Sequence, residues 1–218
     1  MRYITDSQTG YGATGVSCNW NPTSVNVDTT LRAGRPIVGR IKFNTNKLID
    51  SYSLLTNRLF ASITATALHE TMHILGFDPS LYSTYLDSST GLNYSQVTQT
   101  TVLNGARRGG ANNLMVTPAV TAWAIGHFGC NNITGMPLEN EDGTSVGAHW
   151  ERLSIYDELM TGTSLGAQKP FTALTFAILK DMGWYGVDDS FNDTTNYGYQ
   201  KGCSFFFDAC YSATSFPK

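Results

Sequence analysis

Apolar and polar positions fall into a regular pattern in only a few stretches of the chain. Ile37, Gly39, Ile41 and Phe43 alternate with Arg40 and Lys42. That period of two predicts a half-exposed strand whose polar face suits a sheet edge. Leu55, Leu59, Ile63, Ala67 and Ile74 then recur at spacings near four or its multiples, the stripe of an amphipathic helix. Asp50 or Ser51 can cap its start, and Gly76 stands where a left-handed residue would end it. The Thr-Ala-Thr-Ala run inside is a mediocre helix former, so burial must hold this segment.

Elsewhere the pattern is weaker. Residues 1–35, rich in Gly, Asn and Thr, read as loops with short strands. Residues 78–116 read as an irregular region with one short helix or hairpin. Thr117-Pro118 opens a helix through Phe128, with proline in the first turn. Residues 129–150 read as loop. Phe171 to Met182 reads as a further helix stopped by Gly183, before an Asp-, Asn- and Tyr-rich tail.

Composition narrows the class. The chain has 218 residues and a net charge of -3, so it carries no basic excess for nucleic acid. Aromatics at 12% and hydrophobics at 41% argue against disorder. The longest weakly polar stretch, Leu59 to Leu68, is too short and too Thr-rich to span a bilayer. Met1 to Asp6 contain no apolar core of a signal peptide. Yet Asn93-Tyr94-Ser95, Asn132-Ile133-Thr134 and Asn192-Asp193-Thr194 are N-glycosylation acceptors. A secretory character without a leader suggests a fragment of a longer precursor. Cys18, Cys130, Cys203 and Cys210 show no C-x-x-C spacing, which argues against a four-Cys zinc site. Their even number allows two disulfides in three connectivities.

The sharpest chemistry is His69-Glu70-Thr71-Met72-His73 on the predicted helix. Positions i and i+4 share one face, so both imidazoles can point at one ion. Glu70, beside the pair, can reach a water acidified by that ion and take its proton. Catalytic zinc usually takes three protein ligands. His127, His149 or a downstream glutamate, Glu151 or Glu158, can complete the set. Gly147 and Ala148 would let a loop carrying His149 come close to the metal.

His69-x-x-x-His73-x-x-Gly76, a distant histidine and Glu158-Leu159-Met160-Thr161-Gly162 resemble the metzincin pattern with its Met-turn. Phe77-Asp78-Pro79 follow Gly76, so the short form of the motif fails. A long insertion before the third histidine resembles leishmanolysin-type metallopeptidases. Gly34-Arg35-Pro36-x-Val38-Gly39, Gly147-x-His149-Trp150-Glu151, Asp157-Glu158-Leu159-Met160, Phe171-Thr172-Ala173-Leu174, Asp181-Met182-Gly183-Trp184-Tyr185 and Gly202-Cys203 are similar to that family too.

The resemblance implies an α+β, metzincin-like catalytic domain over residues 1–218. Residues 1–76 would be an upper part, a twisted sheet with the active-site helix. Residues 77–218 would be a mostly helical and irregular lower part with the third ligand and the Met-turn. It implies one zinc ion on His69, His73 and His149, Glu70 as general base, and Met160 as a hydrophobic floor below the metal. His127 becomes packing. Residues 37–43 become the nearest candidate for the edge strand that binds extended substrate, a strand further upstream being the alternative. Cys130 and Cys203 become a staple, and Cys18 and Cys210 either lost partners with missing segments or pair together. The implied activity is endopeptidase action on extended polypeptides, secreted or at the cell surface, with membrane association only through segments absent here and a monomer as the default. Two alternatives stand beside it: a zinc peptidase with a glutamate ligand, and an idle homologue acting as a cell-surface adhesion or binding module.

Overall fold

The computed structural model describes residues 13–20, 34–44, 57–101, 112–140, 146–162 and 169–208. Strand β1 (Ala13–Trp20) pairs antiparallel with β2 (Pro36–Phe43), and α1 (Asn57–Leu75) lies against both. A 3-10 turn (Pro79–Thr84) follows, then the antiparallel sheet of β3 (Thr98–Thr101), β4 (Asn112–Met115) and β5 (Met136–Pro137). Helix α2 (Pro118–Phe128) joins β4 to β5. The remainder holds α3 (Arg152–Ile155), α4 (Ala173–Asp181), a 3-10 turn (Asp189–Phe191) and α5 (Gly202–Phe207). This is the expected mixture of helix and strand. Among the described residues no helix is long and apolar enough to cross a membrane.

Helix α1 carries threonines by turning their hydroxyls onto its own backbone. Thr66 donates to Ser62 O at 3.0 Å and Thr71 to Ala67 O at 2.7 Å. Of the predicted stripe, Ile63, Ala67 and Ile74 are half-buried. Ile74 faces the hairpin: a Cβ on Gly39 would stand 2.1 Å from its Cγ2. Met72 is the apolar residue that α1 buries most deeply. Leu55, the Leu59 side chain and the caps proposed at Asp50 or Ser51 lie outside what is described. Gly76, at φ +129°, ends the helix as expected, and Trp184 packs so near that a Cβ on Gly76 would lie 2.7 Å from its ring.

The alternation predicted for residues 37–43 is only partly kept. Ile41 and Phe43 are half-buried and Arg40 and Lys42 exposed, but Ile37 is 52% exposed. The hairpin meets α1 through the bare backbone of Gly39, so Ile37 gains no cover from the helix.

The main core lies beyond Gly76. Phe77, Tyr85, Trp150, Ile155, Leu174 and Ile178 are all sealed from solvent. Helices α2 and α4 pack on each other. Thr117 stands at the N-cap of α2 without a side-chain capping bond. Asp181 at the end of α4 does that work, accepting from Ala119 N at 3.0 Å and Val120 N at 2.9 Å. Cys130, just past α2, is joined to Cys203 in α5, 73 residues on.

A candidate metal centre

The i, i+4 spacing on α1 sets His69 and His73 side by side, with ring centroids 4.8 Å apart. His149 arrives from a turn tied down on both sides. Glu139 N donates to His149 O at 2.8 Å, and Tyr82 Oη donates to Gly147 O at 2.6 Å. Gly147 adopts φ +73°, the conformation for which a glycine suits this turn. Past His149, Trp150 is fully buried and donates Nε1 to Thr175 Oγ1 at 3.0 Å.

The three Nε2 atoms converge. His69 Nε2 lies 3.1 Å from His149 Nε2 and 3.1 Å from His73 Nε2, and the three ligand atoms all lie within 4.8 Å of one another. His69 Nδ1 sits 2.7 Å from Leu159 O, and His73 Nδ1 sits 2.9 Å from Phe77 O. A carbonyl only accepts, so each Nδ1 carries the proton and each Nε2 keeps its lone pair. Burial, then the neighbouring His73 and His149, pull the pKa of His69 down to about 2. Burial likewise lowers that of His73, with the Phe77 carbonyl acting the other way.

Neutral imidazoles with facing lone pairs repel one another unless a cation lies between them. Two nitrogens on a tetrahedral zinc, each at about 2.0–2.1 Å, stand about 3.3 Å apart. The donor set therefore fits a divalent ion of that kind.

Glu70 is 7% exposed. Burial raises its pKa; the Gly15 backbone N–H and the charge of Lys169 oppose that rise. Strand β1 thus lies against Glu70. A Cβ on Gly15 would stand 2.2 Å from Glu70 O.

The other proposed donors are elsewhere. His127 stacks on Trp123 at 4.4 Å, with Nε2 2.9 Å from Tyr197 O. Glu151 caps α3 through Leu153 N at 3.0 Å. Glu158 is wholly buried among Met160 N, Thr172 and Thr175. Met160 is also fully buried, and its carbonyl accepts from Trp150 N at 2.9 Å. Asn93 and Asn132 are exposed, whereas Asn192 is half-buried and donates to Asp189 O. Cys18 is exposed and unbridged; Cys210 lies outside the described residues.

Sequence reading missed the carbonyls of Leu159 and Phe77, because a backbone acceptor leaves no mark in residue identity. It also missed Gly15, which sits in a Gly-, Asn- and Thr-rich stretch without alternation. A cavity of about 640 Å³ opens beside Gly147, lined by Tyr82, Val97 and Leu138 among others, and holds none of the three histidines. Donor geometry, not cavity size, marks the site.

Comparison with known proteins gives the same family as the motifs. A family model described as leishmanolysin matches residues 15–218. A leishmanolysin-like peptidase of Caenorhabditis elegans is 33% identical over 204 residues, covering 81% of this chain and 30% of that protein. A human ciliated left-right organizer metallopeptidase is 32% identical over 173 residues, covering 78% and 21%. A leishmanolysin homolog of Crithidia fasciculata is 29% identical over 188 residues, covering 84% and 25%. The chain thus spans less than a third of the length of these relatives. With the family model running over nearly all of it, the chain belongs to the leishmanolysin family.

Proposed function

We propose that this chain is the catalytic part of a zinc-dependent endopeptidase that hydrolyses peptide bonds in extended polypeptides. The observation that carries the reading is the convergence of three imidazole Nε2 atoms beside a buried glutamate. One zinc ion held by His69, His73 and His149 would supply a Lewis acid for the scissile carbonyl and would acidify water. Glu70 takes a proton at its carboxylate and later returns it to the leaving amine. Burial raises its pKa, which makes the carboxylate a better proton acceptor than an exposed glutamate. Leu159 and Phe77 hold the tautomer of His69 and His73. Met160 forms an apolar floor to the site.

Contact between Gly15 and Glu70 supports β1, rather than residues 37–43, as the edge along which extended substrate lies. Peptide main chain would then pair with a strand already anchored beside the base. The reading includes a metzincin-like division at Gly76, with residues 1–76 above the cleft and 77–218 below. It places the protein outside the cytoplasm, secreted or at the cell surface, because the Cys130–Cys203 disulfide belongs to an oxidising compartment. Exposed Asn93 and Asn132 are the better placed glycan acceptors. An idle binding module would be expected to lack the base or a donor, and none is missing.

The test is cleavage of an unfolded protein substrate by the oxidatively folded chain with one equivalent of zinc, beside Glu70→Ala. Cleavage by the unaltered chain alone supports the reading. Zinc binding without cleavage by either protein overturns it.

A further inference from the structure

We infer that Glu158 is a positioning residue for the metal centre: its buried carboxylate fixes the turn on which two of the three histidines depend. The inference rests on the zinc-site reading above. Glu158 is 0% exposed. Its Oε2 accepts from Met160 N at 2.5 Å. Its Oε1 accepts from Thr175 Oγ1 at 2.5 Å, Thr172 Oγ1 at 3.2 Å and Thr172 N at 3.4 Å. Both oxygens are therefore engaged, on two different segments of chain. One grip closes the Glu158–Met160 turn; the other ties that turn to the first turn of α4.

What the turn carries gives this anchoring its consequence. Leu159 O is the partner of His69 Nδ1. Met160 O receives Trp150 N, and Trp150 directly follows His149. Thr175 Oγ1, the closest hydroxyl to Glu158, also accepts from the Trp150 indole. His69 and His149 are 80 residues apart in sequence, yet two hydrogen bonds and a short run of chain link each to the same carboxylate. Movement of the turn would swing the Leu159 carbonyl and the Trp150 backbone together, and so spread the two Nε2 atoms.

A bare packing role would need no charge here. Burial opposes the ionised form, and the pKa of Glu158 is pushed up to about 7 in spite of the donors around it. A neutral apolar side chain of similar size would avoid that penalty. The carboxylate can do what such a side chain cannot: accept from a backbone N–H of the turn and from α4 at once. Partners of metal-bound histidines typically control affinity by tenfold to a hundredfold, and Glu158 sets the partner of one and the neighbour of another.

The test compares zinc affinity of the full chain, by competition with a chromogenic chelator, among the unaltered protein, Glu158→Gln, Thr175→Val, Thr175→Ser and Leu86→Val. Cobalt absorption reports ligand geometry in each. Glu158→Gln keeps the volume but turns one acceptor into a donor. It is expected to weaken zinc binding by about ten- to a hundredfold and to alter the cobalt spectrum. Thr175→Val should weaken it severalfold, and Thr175→Ser should restore it. Leu86→Val, a remote core change, should lower thermal stability while leaving affinity and spectrum alone. Unchanged affinity in Glu158→Gln overturns the inference, as does unchanged affinity in Thr175→Val should Glu158→Gln fail to fold. Absence of zinc binding by the unaltered chain would instead sink the metal-centre reading and this inference with it.

Discussion

The carbonyl oxygen of Leu159 stands 2.7 Å from Nδ1 of His69, across 90 residues of sequence. This contact joins α1 to the turn before Met160 and fixes which ring nitrogen is free. His73 has a local partner in Phe77 O, four residues on. The pair of histidines is therefore oriented by two carbonyls of different origin, one local and one delivered by the fold.

His149 is the donor on which the choice of metal site turns. His149→Ala should reduce zinc affinity by about a thousandfold or more, roughly 4 kcal/mol. Glu151→Ala should leave zinc bound and cost about 1 kcal/mol through the lost cap on Leu153 N. Equilibrium dialysis and thermal melts of both variants check this. Zinc lost from Glu151→Ala but kept by His149→Ala would make the glutamate the ligand.

The legible parts of this chain were the local ones. Spacing alone put His69 and His73 on one helical face, Gly76 at its end and Pro118 at the opening of α2. None of these needs tertiary information. The choice among His127, His149, Glu151 and Glu158 needed the fold, because a contact 80 residues long in sequence has no local signature. Resemblance to a family supplied it where periodicity could not. Thr117 shows a different limit. It has the residue type of a helix cap, yet Asp181 occupies the N–H groups it would serve. Strand β1 lacked an apolar alternation because its half-buried positions are the small residues Ala13, Gly15 and Ser17, and Ser17 Oγ donates to Ile74 O at 2.8 Å.

Gly15 sets the approach of β1 to Glu70. A methyl group there would stand 2.2 Å from Glu70 O, which is backbone and cannot give way. Gly15→Ala should push the strand off α1, at about 1–3 kcal/mol of misfit, and lower kcat/KM by about ten- to a hundredfold. Zinc stoichiometry should stay at one, since His69, His73 and His149 all lie outside β1. Steady-state kinetics beside metal analysis measures both. Unchanged kcat/KM would remove β1 from the substrate path.

Asp181 holds the start of α2 through two N–H groups. Asp181→Ala should cost about 1–2 kcal/mol, seen as a melting temperature lower by about 2–8 °C. The zinc-loaded variant should cleave as the unaltered chain does below its melt, because the cap lies outside the histidine cluster. A loss of zinc affinity without a loss of stability would contradict that separation.

Glu158 should leave its mark on the pH dependence of folding. Its pKa is raised by burial from 4.5 to about 7. The folded state thus binds this proton more tightly than the unfolded chain does. Glu158 therefore contributes stability that is whole below pH 4.5 and is lost as the pH rises through about 7. His69, His73 and His127, all lowered by burial, act in the opposite sense: their stability is whole above pH 6.5 and falls away as the solution is acidified. Comparing metal-free Glu158→Gln with the unaltered chain removes the Glu158 titration while both proteins keep the same histidines. Between pH 7.5 and 5 the variant should lose more stability than the unaltered chain, by on the order of 2 kcal/mol, because only the unaltered chain gains from protonating Glu158. Urea midpoints at several pH values measure the difference. Parallel curves for the two proteins would mean that Glu158 does not titrate in this window.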